Sequence, residues 1–200
     1  MSHSPHPSLD LVIVAGPNGA GKSTMAEALL RGDLSVEEFV NADVIARGLS
    51  AFSPGAAALA AGRILLTRIR ELARQRVSFA FETTLASRTI APWIRTLEPI
   101  GYQVHIVYFW LPSPELAVQR VRHRVLSGGH DVPEGTIRRR YQRSLSNFFT
   151  LYRPLAHTWH VYDNASSSGP CLIARGRRGS ADEVVDASTW RATEAPGHGG

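Results

Sequence analysis

The chain has 200 residues and a formal net charge of +5, from 22 Lys and Arg residues against 17 Asp and Glu residues. Its hydrophobic residues, 44% of the chain, suffice for the core of one domain, and its one cysteine excludes a disulfide framework and a cysteine-based zinc finger. No apolar run approaches the roughly 18 residues of a membrane span. Residues 1–8 also lack the basic and apolar regions of a signal peptide. We therefore expect a cytoplasmic enzyme or binding protein that does not associate with a membrane.

The positive charge is concentrated in one segment. Residues 116–143 contain seven arginines and two acidic residues, so this segment alone accounts for the net charge of +5. Such a segment is expected to face a compact anion or a nucleic-acid backbone. Elsewhere the cations are also arginines, with one exception: the only lysine of the chain is Lys22.

Apolar runs bounded by turn residues predict the strands, and apolar residues at helical spacing predict the helices. In chain order, the predicted strands are 9–15, 38–41, 77–81, 103–110, 159–162 and 172–174. The predicted helices are 22–31, 57–76, 89–97, 114–126 and 134–156. Strands that alternate with helices predict one α/β domain over residues 9–174, with a mostly parallel sheet covered on both faces. Residues 1–8 and 175–200 show no such periodicity, and we expect them to be disordered.

The segment GPNGAGKST, residues 16–24, matches the G-x-x-x-x-G-K-[ST] pattern (Walker A) of a phosphate-binding loop. A predicted buried strand precedes it and a predicted helix follows, so backbone N–H groups and the helix N-terminus would surround the phosphates. Lys22 is expected to reach the β- and γ-phosphates of ATP, and the Ser23 hydroxyl to ligate Mg²⁺. The predicted ATP-binding residues of this loop are Gly16, Pro17, Asn18, Gly19, Ala20, Gly21, Lys22, Ser23 and Thr24.

Two carboxylates follow predicted strands. Asp43 comes after the second strand, so it should lie at the sheet edge that carries the phosphate-binding loop, where a carboxylate can accept the proton of an attacking hydroxyl. The alternative is that Asp43 only caps the following helix. Glu82 ends the third strand and could hold substrate or a Mg²⁺-bound water, with Thr83 and Thr84 donating hydrogen bonds beside it. The alternative for Glu82 is a solvated strand end.

The arginine-rich segment is expected to form a helical lid over ATP. Arg120 and Arg124 are one helical turn apart, and Gly128 and Gly129 make a hinge between two predicted helices. A closing lid would bring guanidinium charge to the transferring phosphoryl group and exclude water. We therefore predict that Arg120 and Arg124 bind ATP and that Arg120 also takes part in catalysis. Several other arginines, namely Arg122, Arg138 and Arg143, are expected to be solvated.

Together these segments resemble the zeta toxin family of P-loop kinases, especially its shorter chromosomal members. The resemblance is carried by five segments in this order: GPNGAGKST (16–24), NADVIA (41–46), FAFETTL (79–85), the arginine-rich segment 120–141 and VYDN (161–164). The combination is far more specific than any one of its parts.

The resemblance implies a three-layer α/β/α P-loop kinase fold with a helical lid, in which the strand of Glu82 lies beside the strand that precedes the phosphate-binding loop. It implies that Asp43 is the catalytic base, that Lys22 and Ser23 bind ATP and Mg²⁺, and that Glu82 and Thr83 lie on the substrate side. The family's better-known toxins phosphorylate the sugar 3′-hydroxyl of UDP-N-acetylglucosamine, and an antitoxin obstructs their ATP site. An antitoxin is therefore a candidate partner.

The chain departs from these toxins at the acceptor side. Where they carry a further substrate-binding glutamate, the nearest positions here are the apolar Leu65 and Leu66. Their second ATP-binding arginine also has several candidate counterparts, which are Arg124, His130, Arg138, Arg139 and Arg140. The resemblance thus implies phosphoryl transfer but leaves the acceptor open.

Three functional hypotheses follow. The first is a kinase that transfers the γ-phosphoryl group of Mg-ATP to a hydroxyl of a small molecule, with a UDP-N-acetylamino sugar as the first candidate. The second is a kinase of the same architecture for another acceptor, such as an antibiotic, a nucleoside or a metabolite. The third is a nucleic-acid-binding NTPase, which would carry aromatic residues between the arginines for base stacking. Because Tyr141 and Phe148 instead follow the apolar stripe of a helix, we favour the lid over a nucleic-acid surface.

Overall fold

The computed structural model of the chain describes residues 9–31, 36–50, 54–129 and 131–194. The strands are β1 (Leu9–Ala15), β2 (Glu38–Val40), β3 (Phe79–Thr83), β4 (Tyr102–Trp110), β5 (Thr158–Asp163), β6 (Cys171–Arg177) and β7 (Glu183–Val184). The helices are α1 (Lys22–Arg31), α2 (Ala42–Leu49), α3 (Pro54–Gln75), α4 (Ala91–Arg95), α5 (Pro114–Leu126), α6 (Glu134–Asn147) and α7 (Ala187–Glu194). Short 3₁₀ turns at Glu98–Ile100 and Arg153–Leu155 and a π-helical turn at Phe148–Tyr152 complete the list for these residues.

The strands of the described residues form one seven-stranded sheet in the order β2-β3-β1-β4-β5-β6-β7. Neighbouring strands from β2 to β5 pair in parallel, and β6 and β7 add to β5 in antiparallel pairing. The expected α/β fold with a mostly parallel sheet is confirmed. Because Ala15 of β1 is in register with Thr83 of β3, the segments that follow these two strands emerge side by side at one edge of the sheet.

The sheet separates two apolar cores, which gives the molecule three layers. Leu11 and Ile13 of β1 pack into one core together with Ile69 of α3. Val12 and Val14 face the other way and pack with α1 and α5. This alternation along one strand follows from the two-residue period of a β-strand. The near-continuous apolar sequence of β1 is therefore explained by burial on both faces.

Helix α6 ends earlier than the apolar stripe of the sequence predicts. The stripe continues to residue 156, but the α-helical hydrogen bonds end at Asn147, and a π-helical and a 3₁₀ turn follow. Pro154 prevents a regular α-helix from continuing to residue 156, since its nitrogen has no hydrogen to donate and its ring clashes with the preceding turn of an α-helix. Phe148 and Tyr152 remain buried in the core, as their spacing predicts.

The prediction that the chain is disordered beyond residue 174 was wrong for the part that the structure describes. Strand β6 continues to Arg177, β7 pairs with it, and α7 packs onto the domain. The reason is a single large side chain: Trp190 of α7 is 7% exposed and stacks on Trp159 of β5, with ring centroids 5.5 Å apart. The expected disorder of residues 1–8 and of residues 195–200 concerns positions outside the described residues.

Across the described ranges, no helix combines the length and the apolar character that crossing a membrane requires.

Candidate functional site

A cavity of about 820 Å³ opens at the edge of the sheet where β1, β2 and β3 end. The phosphate-binding loop forms one wall, α2, α3 and the segment after β3 form another, and α5 and α6 lie across them. The predicted site residues on its surface are Asn18, Gly19, Gly21, Lys22, Ser23, Thr24, Asp43, Glu82, Thr83, Thr84, Arg120 and Arg124. The other predicted loop residues, Gly16, Pro17 and Ala20, are buried behind this surface.

Close packing against neighbouring segments shapes the phosphate-binding loop. Gly16 has a φ of +139°, and a Cβ atom there would lie 2.3 Å from the carbonyl oxygen of Phe109. Gly21 has a φ of +75°, and a Cβ atom there would lie 2.6 Å from Nδ2 of Asn164. Asn164 itself follows β5 and donates a hydrogen bond of 2.8 Å to the carbonyl oxygen of Ala20. Only glycine allows both this backbone conformation and this close approach.

Lys22 lies beneath the loop in contact with a carboxylate. The residue is 6% exposed, and its ammonium group donates to the carbonyl oxygen of Pro17 at 2.9 Å and lies 3.6 Å from Oε1 of Glu82. Burial lowers the pKa of Lys22, and the charges of Glu82 and Asp43 oppose that shift. The ammonium group is therefore held by negative charge in a space from which water is largely excluded. The opposite oxygen of the carboxylate, Oε2 of Glu82, accepts a hydrogen bond of 2.7 Å from the Ser23 hydroxyl.

Asn41, which sequence reasoning did not assign to the site, connects these groups to Asp43. Its Oδ1 atom accepts hydrogen bonds from the backbone N–H groups of Asp43 (2.7 Å) and Val44 (3.3 Å), so Asn41 is the N-cap of α2. The alternative in which Asp43 caps this helix is therefore wrong. The Asp43 side chain lines the cavity instead, with Oδ2 4.0 Å from Nη1 of Arg124. The preference for asparagine at helix N-caps was the available signal for Asn41.

The arginines of α5 and α6 divide into two groups. Arg138 forms an ion pair with Glu115 and lies 2.9 Å from Glu134, and Arg122 lies 2.7 Å from Glu134, so these two arginines are paired at the surface. The second group lines the cavity and consists of Arg120, Arg124, Arg139, Arg140 and Arg143. Arg143 is exposed, as expected for a solvated arginine, and it also lines the cavity. His130 lies outside the described residues.

Within the cavity group, Arg120 and Arg140 differ in their contacts. Both terminal nitrogens of Arg120 donate hydrogen bonds of 2.6 Å to carbonyl oxygens, one to Asn164 and the other to Ala165. Arg140 is half-buried, and no hydrogen bond or ion pair from another described residue holds its guanidinium. Burial lowers the pKa of Arg140, and the charge of Asp43 opposes the shift. Arg140 is therefore a desolvated cation near Asp43.

The end of β3 and the segment after it form part of the second cavity wall. Leu85 has a φ of +54°, which is strained for leucine, and Asn147 of α6 donates a hydrogen bond of 2.8 Å to its carbonyl oxygen. The Thr83 and Thr84 hydroxyls accept bonds from the backbone N–H groups two residues further on, at 3.1 Å and 3.4 Å. Since a hydroxyl both donates and accepts, each threonine keeps a hydrogen for a bound molecule. Across from them, α3 contributes the side chain of Leu66.

No group of three or more His, Cys, Asp or Glu residues that could hold a metal ion occurs among the residues described. The few oxygen donors beside the phosphate-binding loop fit Mg²⁺ bound together with nucleotide phosphates. In such sites Mg²⁺ takes one or two protein oxygens and completes its shell with phosphates and water. Ser23 and Glu82 offer those oxygens beside the phosphate-binding loop.

Comparison with known proteins agrees with this geometry. A protein-family model described as an AAA domain matches residues 11–146, more than half of the chain. An uncharacterized protein of Haemophilus influenzae is 29% identical over 130 residues, which cover 65% of this chain and 91% of that protein.

Two solved structures show a similar fold at low sequence identity. A chain of the AvrRxo1-ORF1:-ORF2 crystal structure with ATP superposes with a TM-score of 0.75 at 16% identity, covering 94% of this chain. The present chain spans 64% of the length of that one. A chain of the PezAT chromosomal toxin-antitoxin system of Streptococcus pneumoniae gives a TM-score of 0.62 at 12% identity, covering 100% of this chain and 81% of that one. With residues 11–146 matched by this model, the chain belongs to the family described as an AAA domain, and its phosphate-binding loop and α/β fold agree with that membership.

Proposed function

We propose that this protein transfers the γ-phosphoryl group of Mg-ATP to a hydroxyl group of a small molecule. The observation that carries the proposal is the position of Asp43. Its carboxylate faces the same cavity as Lys22 and Ser23 and contributes to the electrostatic surroundings of Lys22. A carboxylate at this place gives a nucleotide-binding site what a hydroxyl acceptor requires, namely a proton acceptor.

ATP fits the loop wall of the cavity. The backbone of residues 16–24 would surround the β- and γ-phosphates, and the Lys22 ammonium would meet their charge once it exchanges its contact with the Pro17 carbonyl oxygen for a phosphate oxygen. Ser23 and Glu82 would hold Mg²⁺ on the phosphates, where the ion neutralises charge on the transferred group.

Asp43 acts as the general base in this proposal. As the acceptor oxygen forms its bond to the γ-phosphorus, its proton passes to a carboxylate oxygen of Asp43, and the bond from that phosphorus to the bridging oxygen of ADP breaks. The Arg124 guanidinium, 4.0 Å from Asp43, and the nearby Arg140 keep positive charge beside the reacting groups. Among the candidates for the second ATP-binding arginine, Arg138 is already paired with glutamates, whereas Arg124, Arg139 and Arg140 line the cavity.

Arg120 supports the nucleotide site through its two backbone contacts. Its hydrogen bonds to Asn164 and Ala165 tie α5 to the segment after β5, and Asn164 in turn contacts the phosphate-binding loop. We propose that Arg120 turns from these carbonyl oxygens toward the phosphates when ATP binds. Its contribution to catalysis is then the added guanidinium charge on the transferring group.

A UDP-N-acetylamino sugar remains the first candidate acceptor. The cavity wall contains Lys22 and six arginines against the two carboxylates of Asp43 and Glu82, an excess of positive charge that suits an acceptor with phosphates of its own. The likeness of fold to a chain of a toxin-antitoxin system supports the zeta toxin resemblance and an antitoxin as partner. The apolar Leu65 and Leu66 of α3 keep another acceptor, such as a nucleoside, an antibiotic or a metabolite, as the alternative.

Binding of nucleic acid receives less support. The exposed Arg122 is paired with Glu134, and Arg138 is paired as well, while the other arginines of the segment line the cavity. A nucleic-acid backbone would need that charge on an open face.

The proposal is tested by incubating the protein with Mg-ATP and a panel of hydroxyl compounds that includes UDP-N-acetylglucosamine, followed by phosphorus NMR. We expect one acceptor to be phosphorylated by the wild type and Asp43→Asn to lower its turnover by about 100-fold or more. ATP affinity should stay within a few-fold, since Asp43 does not form the phosphate-binding loop. Asp131→Asn, at an exposed position outside the cavity wall, is the matched control.

Equal turnover by Asp43→Asn and wild type would exclude Asp43 as the base. If no hydroxyl compound were phosphorylated while RNA stimulated ATP hydrolysis, the proposed kinase activity would be wrong.

A further inference from the structure

The side chain of Asn41 lies between Ser23 and Glu82, which are proposed to hold Mg²⁺, and the helix that carries Asp43. It follows β2, is 6% exposed, and uses both of its polar atoms. Its Oδ1 atom accepts from the backbone N–H groups of Asp43 and Val44, and its Nδ2 atom donates to Oε2 of Glu82 at 2.7 Å. The same Nδ2 atom lies 3.4 Å from the Ser23 hydroxyl oxygen. One amide therefore contacts both Glu82 and the backbone of the helix that carries Asp43.

The contacts determine which atom of the amide is which. A carboxylate can only accept hydrogen bonds and a backbone N–H can only donate, so oxygen must face α2 and nitrogen must face Glu82. The opposite assignment would place an amide oxygen against the carboxylate and an NH₂ group against two N–H donors. The orientation of Asn41 is thus fixed by its partners.

A helix cap alone would not require asparagine. Serine, threonine and aspartate cap helices about as well, because capping uses only an oxygen acceptor. Aspartate at this position would add a second negative charge beside Glu82, and serine would lack the NH₂ group that reaches it. The NH₂ group of Asn41 therefore donates to Glu82, and its amide oxygen accepts from the backbone of the helix that carries Asp43.

We propose that Asn41 is a positioning residue that orients the Glu82 carboxylate toward Ser23 and the metal side of the nucleotide site while fixing the first turn of α2. Oε2 of Glu82 accepts from both Asn41 and Ser23 at 2.7 Å, which leaves Oε1 directed toward Lys22. Asn41 itself touches no reacting atom. This inference rests on the proposed binding of Mg-ATP but not on the identity of the acceptor.

The distinguishing measurement is the gain in ATP affinity that Mg²⁺ provides, obtained by titrating ATP calorimetrically in the presence of Mg²⁺ and in EDTA. Asn41→Ser keeps a cap and removes the donor to Glu82. We expect it to reduce the Mg²⁺-dependent gain by roughly tenfold, as replacements of groups that orient metal ligands do, while ATP affinity in EDTA stays close to that of the wild type. Its Tm should also remain close to the wild-type value.

Two further variants separate this role from that of a simple cap. Ser113→Ala removes the N-cap of α5, whose oxygen accepts from the Leu116 N–H at 3.2 Å, and should lower the Tm without changing the Mg²⁺-dependent gain. The double variant Asn41→Ser/Glu82→Gln should lose no more of that gain than Glu82→Gln alone, because Asn41 acts through Glu82.

Asn41 would be only a helix cap if Asn41→Ser left the Mg²⁺-dependent gain at the wild-type value, and it would not act through Glu82 if the losses in the double variant were additive. An ATP affinity that did not depend on Mg²⁺ in the wild type would also overturn the inference. A protein that bound Mg-ATP as expected but phosphorylated no hydroxyl compound would contradict the kinase proposal alone.

Discussion

The phosphate-binding edge of the sheet depends on backbone geometry and charge, whereas the region where α7 packs against β5 depends on aromatic packing. In the first region, Lys22 lies 3.6 Å from Glu82 in a largely buried site. In the second, the rings of Trp159 and Trp190 stack at 5.5 Å, and Phe149 packs edge-on against Trp190 at 5.4 Å. The guanidinium of Arg153 lies 4.7 Å from the Trp159 ring. These four residues, Phe149, Arg153, Trp159 and Trp190, form an aromatic cluster.

The comparison shows that the groups that stabilise the fold are not the groups that line the candidate site. Burying an ammonium group and a carboxylate costs desolvation free energy that their attraction does not reliably recover. Burying large aromatic side chains is favourable, and stacked pairs add further stabilisation. Strand β5 connects the two regions: it carries Trp159, and Asn164 at its end donates a hydrogen bond to the phosphate-binding loop.

The largest expected effect on stability comes from Trp190→Ala. Removing this buried side chain should lower the free energy of unfolding by about 3–5 kcal/mol, because the cavity that it leaves cannot close against Trp159. Urea unfolding measures the loss, and ATP titration should give an unchanged affinity at temperatures where the variant is folded. The neighbouring Arg191→Ala, at an exposed position, should change the unfolding free energy by less than about 0.5 kcal/mol. A large loss of ATP affinity in Trp190→Ala would show that the aromatic packing and the phosphate-binding loop are not independent.

Asn164→Ala should affect both stability and ATP binding. The substitution leaves the carbonyl oxygen of Ala20 without its donor, a loss of about 1–3 kcal/mol in unfolding free energy for a buried polar group. It also releases the loop that surrounds the phosphates, so ATP affinity should fall in the same variant. Urea unfolding and ATP titration measure the two effects. Ser166→Ala, exposed in the same segment, is the control, and a change confined to stability would limit Asn164 to a structural role.

The smallest expected effect is a pH dependence from His157. Its Nδ1 atom accepts from the backbone N–H of Val104 at 3.0 Å, a bond that requires the neutral ring. Burial, Arg178 and His105 lower the pKa of His157 below its ordinary value of 6.5, and Glu98 opposes them. Because the unfolded chain binds a proton more readily than the folded one, this stabilisation is present above pH 6.5 and is lost as the pH falls below it.

Urea unfolding between pH 7 and pH 5 measures this effect. His157→Gln should reduce the slope of unfolding free energy against pH, and the remainder should include His160, whose pKa burial also lowers. An unchanged slope in His157→Gln would contradict the assignment. ATP affinity should not change in this variant, since His157 lies at the other end of β5 from Asn164.

Local patterns were sufficient to predict the phosphate-binding loop and the strand before it. Gly16 and Lys22 lie within nine consecutive residues, so their spacing alone carries the signal. Asp43 and Glu82 are far apart in the chain, but Asp43 follows β2 by three residues and Glu82 is the next-to-last residue of β3, and the parallel sheet brings such positions to one edge. For these residues, the position relative to a predicted strand was enough to predict the place in the fold.

The arginines of α6 could not be assigned in this way. Arg138 and Arg140 are two positions apart and therefore point in different directions from the helix. Arg138 meets Glu115, whereas Arg140 lines the cavity with Asp43 nearby. The rotation of the helix about its axis decides between them, and that rotation is set by the packing of residues such as Ile137 against the core.

The sequence by itself determined the α/β order of the elements, the phosphate-binding loop and the unusual place of the only lysine. These features depend on short-range periodicity and on residue types that only one local structure accommodates. The tertiary structure alone decided that Asn41 joins α2 to Glu82, that the positive charge of residues 116–143 is divided between surface ion pairs and the cavity, and that Trp190 extends the domain beyond residue 174. Each of these depends on contacts between residues distant in the chain, which a single sequence does not encode in any local pattern.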